Sequence, residues 1–224
     1  MNHVILFDID GTLINGGGAG LAALTVALRE ALGFSRSTDS VKLSGRTDHA
    51  ILADLLVLAG AEDTLDNRRL LLAAYLAALP GTLRENSGRV LPGVEALLGV
   101  LSKADDLAIG LLTGNVREGA SAKLAHFGLD RHFRFGGYGG EHADRDDVAR
   151  AALDEVRRLH PGHGTVWVIG DTPHDIRCAR AIGARAVGVL TGWHGREEMR
   201  ACGPDLLLDD LSAPAVLLRE WGVA

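Results

Sequence analysis

Two aspartates that follow the first apolar run of the chain are the strongest candidates for chemistry. Val4–Phe7 predicts a buried strand, and Asp8, Asp10, Gly11 and Thr12 follow it within a few residues. Residues two apart on an extended strand point to the same face, so both carboxylates are expected on one side. Neighbouring carboxylates repel each other unless a cation or a shared proton lies between them. The pair therefore predicts a site that binds a cation or transfers protons.

A second candidate group, Thr113, Gly114 and Asn115, follows the apolar run Leu107–Leu112. A hydroxyl, a flexible glycine and an amide ahead of a helix can bind an anion through side chains and backbone N–H groups. The same residues could instead do no more than cap the helix.

A third group brings further acids. Asp171 follows the run Val166–Ile169, and Asp175 lies at the start of the next predicted helix, where it could also be a simple cap. Ligands of open α/β sheets bind at the carboxyl ends of the strands, so these acids should meet Asp8 and Asp10 there. Such a cluster favours a hard cation with oxygen ligands, and we predict Mg²⁺.

The elements that must position these residues alternate along the chain. Near-continuous apolar runs predict strands buried on both faces, and the segments between them have helical spacing. The predicted strands are Val4–Phe7, Leu107–Leu112, Phe133–Phe135, Val166–Ile169, Ala186–Leu190 and Leu206–Leu208, and the predicted helices lie near 20–33, 46–59, 64–79, 116–127, 145–159, 174–182 and 213–221. The alternation predicts an α/β fold with a doubly wound parallel sheet.

The interval between the first two strands is too long for a simple crossover. It spans roughly 95 residues, against the dozen or more that a crossover helix requires. The glycine-rich stretch Gly16–Gly20 opens it and is suited to a hinge. We therefore predict that 16–88 form a helical cap inserted into an α/β core made of 1–15 and 89–224.

Composition excludes several classes of partner. The 224 residues carry a net charge of −6 without a basic stretch, so nucleic acid is not expected as a partner. No apolar stretch is long enough to cross a bilayer, so no membrane partner is expected. Two cysteines, Cys178 and Cys202, without a paired pattern fit a reducing compartment. With no signal-peptide pattern at the start, the expected location is cytoplasmic. The oligomeric state is left open.

The three motifs, in this order, resemble those of the haloacid dehalogenase-like hydrolase superfamily. Asp8–Thr12, Thr113–Asn115 and Gly170–Asp175 are similar to its first, second and fourth motifs. The helical insertion resembles a type 1 cap, as in phosphoglycolate phosphatase-like members. The resemblance covers nearly the whole chain and implies a Rossmann-like core.

The resemblance also implies roles for the acids. Asp8 would be the nucleophile that forms an aspartyl-phosphate, and Asp10 would be the general acid and base. Mg²⁺ would be bound by Asp8, the backbone carbonyl of Asp10 and Asp171, with Asp175 in support. The implied substrate is a small phosphorylated metabolite.

Substrate contacts follow from the same resemblance. Thr113 and the backbone near Gly114 and Asn115 would bind the phosphoryl oxygens. Arg46, beside Gly45 in the predicted cap, would contact the leaving group and recognise an acidic or polar substrate. Its alternative is a solvated residue at a helix start capped by Thr47 or Asp48.

One family feature is missing. The superfamily usually supplies a lysine after the third strand, and that place contains no lysine here. Arg145 is the favoured substitute because a guanidinium binds phosphate well. Lys123 is the rival, but it lies ten residues after Thr113, which corresponds to a rise of about 15 Å in a helix.

Other functions stay open at this point. A phosphosugar mutase would share the acids and the cap, and a non-catalytic phospho-ligand binding protein could share the fold. Dehalogenation is disfavoured because Asp10 is present, and phosphonate cleavage is poorly supported with Lys42 as the lone cap lysine.

Overall fold

The computed structural model describes residues 2–223. Along the chain its strands and helices are β1 (His3–Phe7), β2 (Ile14–Asn15), α1 (Ala19–Leu32), α2 (Asp48–Leu58), α3 (Leu65–Glu85), β3 (Arg89–Val90), α4 (Val94–Leu101), β4 (Leu107–Thr113), α5 (Arg117–His126), β5 (Gly136–Tyr138), α6 (Arg145–Leu159), β6 (Thr165–Gly170), α7 (Pro173–Ala181), β7 (Arg185–Val189), α8 (Arg196–Ala201), β8 (Leu206–Leu208) and α9 (Ala215–Glu220). Within 2–223, no helix has the length and apolar character to span a membrane.

Six strands form one parallel sheet in the order β5-β4-β1-β6-β7-β8. Successive residues of β1 enter different cores: Ile5 and Phe7 pack on one face, and Val4 and Leu6 pack on the other. Helices cover both faces, so every position of the strand must be apolar, which explains the unbroken run in the sequence. The predicted doubly wound α/β fold is confirmed.

The inserted helices have a core of their own. α1, α2 and α3 contribute a separate cluster of buried residues that includes Leu28, Leu55 and Leu71. The threonine side chains of Thr47 and Thr64 cap α2 and α3 by accepting hydrogen bonds from backbone N–H groups. This is the helical cap of the predicted fold class.

A short antiparallel pair lies where the chain leaves the sheet for the cap and returns from it. β2 and β3 pair through Ile14 with Val90 and Asn15 with Arg89. The boundaries given above for the cap, 16–88, agree with this position but stay a prediction.

One strand lies later in the chain than expected. The structure has β5 at Gly136–Tyr138, directly after the predicted Phe133–Phe135. A Cβ on Gly136 would lie 2.6 Å from the Leu111 carbonyl oxygen, so the strand approaches β4 through glycines that carry no strand signal. The phenylalanines pack instead, Phe133 against the Phe7 ring and Phe135 in the core.

Candidate active site

The candidate site lies at the carboxyl edge of the sheet, where β1, β4 and β6 end side by side. Asp8 follows β1 and continues its ladder, with its backbone N–H donating to the Ile169 carbonyl at 2.9 Å. Gly11 then turns the chain at a φ of 88°, a conformation that favours glycine. Thr113 ends β4, and Asp171 follows β6. The strand order thus brings the three sequence motifs together.

Three buried carboxylates converge at this edge. Oxygens of Asp8, Asp171 and Asp175 lie within 4.8 Å of one another. Thr12 Oγ1 donates to Asp171 Oδ1 at 3.1 Å, and Asp175 Oδ2 accepts from the Thr172 N–H at 3.0 Å and from its hydroxyl at 2.7 Å. Asp175 therefore completes the capping box of α7, whose N-cap is Thr172, and joins the acidic cluster at the same time.

The cluster is electrostatically unfavourable by itself. Burial raises the pKa of Asp8 to about 7, partly opposed by Arg145 and increased by Asp175 and Asp10. Burial also raises the pKa of Asp171 well above its usual range, and Asp175 and Asp8 add to that shift. Three carboxylates with oxygen donors alone fit a hard divalent cation, which would allow them to remain ionised together.

Arg145, at the start of α6, supplies one cation to the cluster. Its buried guanidinium donates from Nη2 to Asp175 Oδ1 at 2.5 Å and to Asp8 Oδ1 at 3.2 Å. Asp144 caps the helix by accepting from the Asp146 N–H, which fixes Arg145 at the first helical position. Arg145 thus brings a positive charge to Asp8 and Asp175, and its contact with a phosphoryl group stays a prediction.

Lys123 also reaches the site, and the distance argument made against it is wrong. Its Nζ donates to Asp10 Oδ2 and to Asn115 Oδ1, both at 2.6 Å, and Asn115 Nδ2 donates to Asp10 Oδ2 at 2.8 Å. The helix α5 starts only at Arg117, so the rise to Lys123 is about 9 Å, which its four-carbon stem offsets. The two cations thus contact different aspartates: Arg145 contacts Asp8, and Lys123 contacts Asp10.

This triangle of contacts changes the acidity of Asp10. Enclosure by itself raises its pKa, but the charge of Lys123 and the hydrogen bonds from Lys123 and Asn115 outweigh that effect and lower it. The side chain of Asp10 is 45% exposed, so it faces the cavity while one oxygen is held.

The residues at and after the end of β4 contact both the cap and the acidic residues of the site. Thr113 is fully buried, and its hydroxyl accepts from Asn115 Nδ2 at 2.8 Å. A Cβ on Gly114 would lie 2.0 Å from the Arg46 carbonyl oxygen, so the glycine allows the cap loop to approach. The Gly114 carbonyl accepts from the Asp48 N–H at 2.7 Å.

The cap loop lies over the site, but the Arg46 guanidinium is engaged within the cap. It donates to Asp54 Oδ2 at 2.5 Å, to the Lys42 carbonyl at 3.2 Å and to the Ala50 carbonyl at 3.4 Å. Arg46 lines the cavity, and its contact with the leaving group stays a prediction. The alternative of a capped helix start also fits, because Thr47 caps α2.

A cavity of about 480 Å³ lies between the sheet edge and the cap, a size that suits a small ligand. Asp8, Asp10, Thr113, Lys123 and Arg145 line its core side. The cap contributes residues that the motifs did not indicate, namely Leu21, Leu24, Asp48, Ile51 and Tyr75. The apolar residues and Tyr75 look like ordinary cap core in the sequence, and Asp48 looks like an ordinary acid in the first turn of a helix.

Comparison with known proteins gives the class. The model of the haloacid dehalogenase-like hydrolase family matches residues 5–180, and a second model of related hydrolase-like proteins matches 147–214. The chain belongs to the haloacid dehalogenase-like hydrolase family.

Similar proteins cover nearly the whole chain. A probable phosphatase, IndB, of Dickeya dadantii is 26% identical over 95% of this chain and 91% of that protein. A phosphoglycolate phosphatase of Agrobacterium fabrum is 26% identical over 98% of this chain and 94% of that protein. The crystal structure of CbbY from Rhodobacter sphaeroides in complex with phosphate has the same fold, with a TM-score of 0.75 at 21% identity over 96% of both chains.

Proposed function

We propose that the protein is a Mg²⁺-dependent phosphatase that hydrolyses a small phosphomonoester through an aspartyl-phosphate on Asp8. The observation that carries the proposal is the arrangement of two aspartates two residues apart. Asp8 is buried and contacts Arg145, and Asp10 accepts a hydrogen bond from Lys123. The names of the two curated relatives support phosphate-ester chemistry.

The acidic cluster supports the metal assignment. The oxygen donors of Asp8 and Asp171, with the Asp10 backbone carbonyl and with Asp175 in support, would hold Mg²⁺. When bound, Mg²⁺ supplies positive charge that lets an anionic nucleophile approach an anionic phosphoryl group.

In the first step, a carboxylate oxygen of Asp8 attacks phosphorus as the bond to the ester oxygen breaks. Asp10, which must first take up a proton because Lys123 and Asn115 favour its ionised form, gives that proton to the departing alkoxide, which leaves as an alcohol. Arg145 offsets negative charge on Asp8, while Thr113 and the backbone at Gly114 and Asn115 bind the phosphoryl oxygens.

In the second step, the Asp10 carboxylate takes a proton from a water molecule, whose oxygen attacks phosphorus. The bond between phosphorus and Asp8 breaks, and inorganic phosphate and the free carboxylate are released. Lys123 and Asn115 hold one oxygen of Asp10 and favour its ionised form, which is the form that this step requires.

The test is phosphate release from a panel of small phosphomonoesters, with Mg²⁺ or with EDTA. We expect Mg²⁺-dependent release, and a loss on the order of 10³-fold in Asp8→Asn because the nucleophile is removed. Asp66→Asn is the matched control, since Asp66 lies on the exposed face of α3 with a side chain that is 94% exposed. Full activity of Asp8→Asn would refute the nucleophile, and transfer of phosphate between sugar positions without release would indicate a mutase.

A further inference from the structure

The sheet edge forms one side of the cavity and the cap forms the other, and in the proposed reaction the phosphoryl group binds at the sheet edge. The transferring phosphorus must reach Asp8 at the sheet edge, so the leaving group has to occupy the side formed by the cap. Apolar side chains from α1, α2 and α3 form much of that side, including Leu21, Leu24, Ile51 and Tyr75. On a wall that is largely apolar, the few charged side chains are the groups that can distinguish a charged leaving group from an uncharged one.

Each cation that lines the described cavity already has an acidic partner. Arg145 contacts Asp8 and Asp175, Lys123 contacts Asp10, and Arg46 contacts Asp54. Arg145 and Lys123 are also committed to the chemical steps proposed above. A carboxylate on the leaving group would thus compete with a protein carboxylate for any cation that it met.

Asp48 adds a negative charge to the wall. It is the first residue of α2, and its Oδ2 accepts from the Val116 N–H at 2.7 Å. Among residues 2–223, no lysine or arginine lies within ion-pair distance of it. Burial raises its pKa to about 6, the charge of Lys123 opposes this shift, and the charge of Asp10 increases it. The hydrogen bond from the Val116 N–H favours the ionised form of the carboxylate.

The position of Asp48 is fixed by the docking of the cap on the core. Its N–H donates to the Gly114 carbonyl, and the N–H of the next residue, His49, donates to the Gly139 carbonyl at 3.1 Å. The Thr47 hydroxyl donates to the Ala143 carbonyl at 3.2 Å. These contacts hold Asp48 at the wall of the cavity, next to Gly114 and Asn115, which line the same cavity.

We propose that the site accepts phosphomonoesters of uncharged alcohols and selects against leaving groups that carry a carboxylate, and that Asp48 sets this preference. The inference rests on the proposed phosphatase function and names its substrate class. It separates this chain from the activity that the name of the Agrobacterium fabrum relative implies, although the two proteins share 26% identity.

Two esters with the same two-carbon skeleton test the proposal. 2-Hydroxyethyl phosphate and 2-phosphoglycolate differ in a CH₂OH group replaced by a carboxylate. We expect kcat/KM for the hydroxyethyl ester to exceed that for 2-phosphoglycolate by about 10- to 100-fold, the order of effect that a nearby like charge has in a partly shielded site. If turnover is slow, inhibition constants against p-nitrophenyl phosphate hydrolysis give the same comparison.

Asp48→Asn tests the residue. Asparagine keeps an acceptor for the Val116 N–H and removes the charge, so the preference should fall by about tenfold, mainly through faster reaction of 2-phosphoglycolate. Asp39→Asn is the control, because Asp39 is an exposed acid in the same cap. Its preference should match that of the wild type.

The outcomes are distinct. Equal or faster hydrolysis of 2-phosphoglycolate by the wild type, or an unchanged preference in Asp48→Asn, would overturn this inference while leaving the phosphatase intact. Absence of Asp8-dependent hydrolysis of p-nitrophenyl phosphate as well would overturn the proposed function, and this inference with it.

Discussion

Replacing Lys123 by methionine isolates the second step of the proposed mechanism. The substitution keeps a long apolar stem in a buried position and removes the two hydrogen bonds of 2.6 Å to Asp10 and Asn115. A charge-assisted hydrogen bond contributes about 1.5–3 kcal/mol, which corresponds to a factor of about 10 to 150 in rate. Because the Asp10 side chain is 45% exposed, water replaces part of that contact, and we expect kcat to fall about tenfold.

The assay uses p-nitrophenyl phosphate, whose leaving group needs little help from a general acid. The first step should therefore continue, while water attack on the aspartyl-phosphate slows because the base is no longer held. Rapid mixing should show a burst of nitrophenolate close to one per enzyme molecule, followed by slow turnover.

Two comparisons make the result interpretable. Lys103→Met changes an exposed lysine and should behave as wild type. Lys123→Gln retains a hydrogen-bond donor without the charge, and should lie between wild type and Lys123→Met. A folded Lys123→Met protein with kcat within about twofold of wild type and no burst would refute the role of Lys123.

Two further predictions concern stability. Trp221→Ala should lower the free energy of unfolding by about 3 kcal/mol in urea titrations, the low end for a buried aromatic residue because its indole N–H has no hydrogen-bond partner among residues 2–223. Trp193→Ala, at 92% exposure, should change it by less than about 0.5 kcal/mol, and equal losses would contradict the packing. The pKa of Asp48 is raised from 3.8 to about 6 in the folded state, so its contribution to stability is lost as pH rises from about 4 through about 6. The melting temperature of Asp48→Asn should therefore rise relative to that of the wild type between pH 4.5 and 7. A difference that stays constant over this range would refute the pKa shift.

The fold could be predicted because the sheet forces a pattern on the sequence. A strand covered on both faces is apolar at every position, so Val4–Phe7 and Val166–Ile169 stand out. The failure at β5 has the opposite cause: Gly136 and Gly137 are selected by close approach to Leu111 and to α6, and glycine carries no strand propensity.

The convergence of the acids was predictable for a similar reason. Asp8 and Asp171 each follow a strand, and adjacent parallel strands end at one edge, so topology brings them together without any knowledge of side-chain detail. The position of Lys123 does not follow from strand topology in this way. Its contact with Asp10 depends on where α5 begins and on the direction of its axis, and a count of residues from Thr113 gives neither.

Asp48 marks the physical limit of reading such a site from sequence. An acid in the first turn of a helix is favoured by the helix dipole whatever lies in front of it, so its type and position predict nothing about a ligand. What makes it part of the cavity is the approach of the cap loop to Gly114, which the missing Cβ allows. Because that approach involves two segments far apart in the chain, the position of Asp48 at the cavity can be recognised only in the folded protein. The motifs at the sheet edge are therefore sufficient to predict the family, while the lining that the cap adds to the cavity depends on contacts between cap and core.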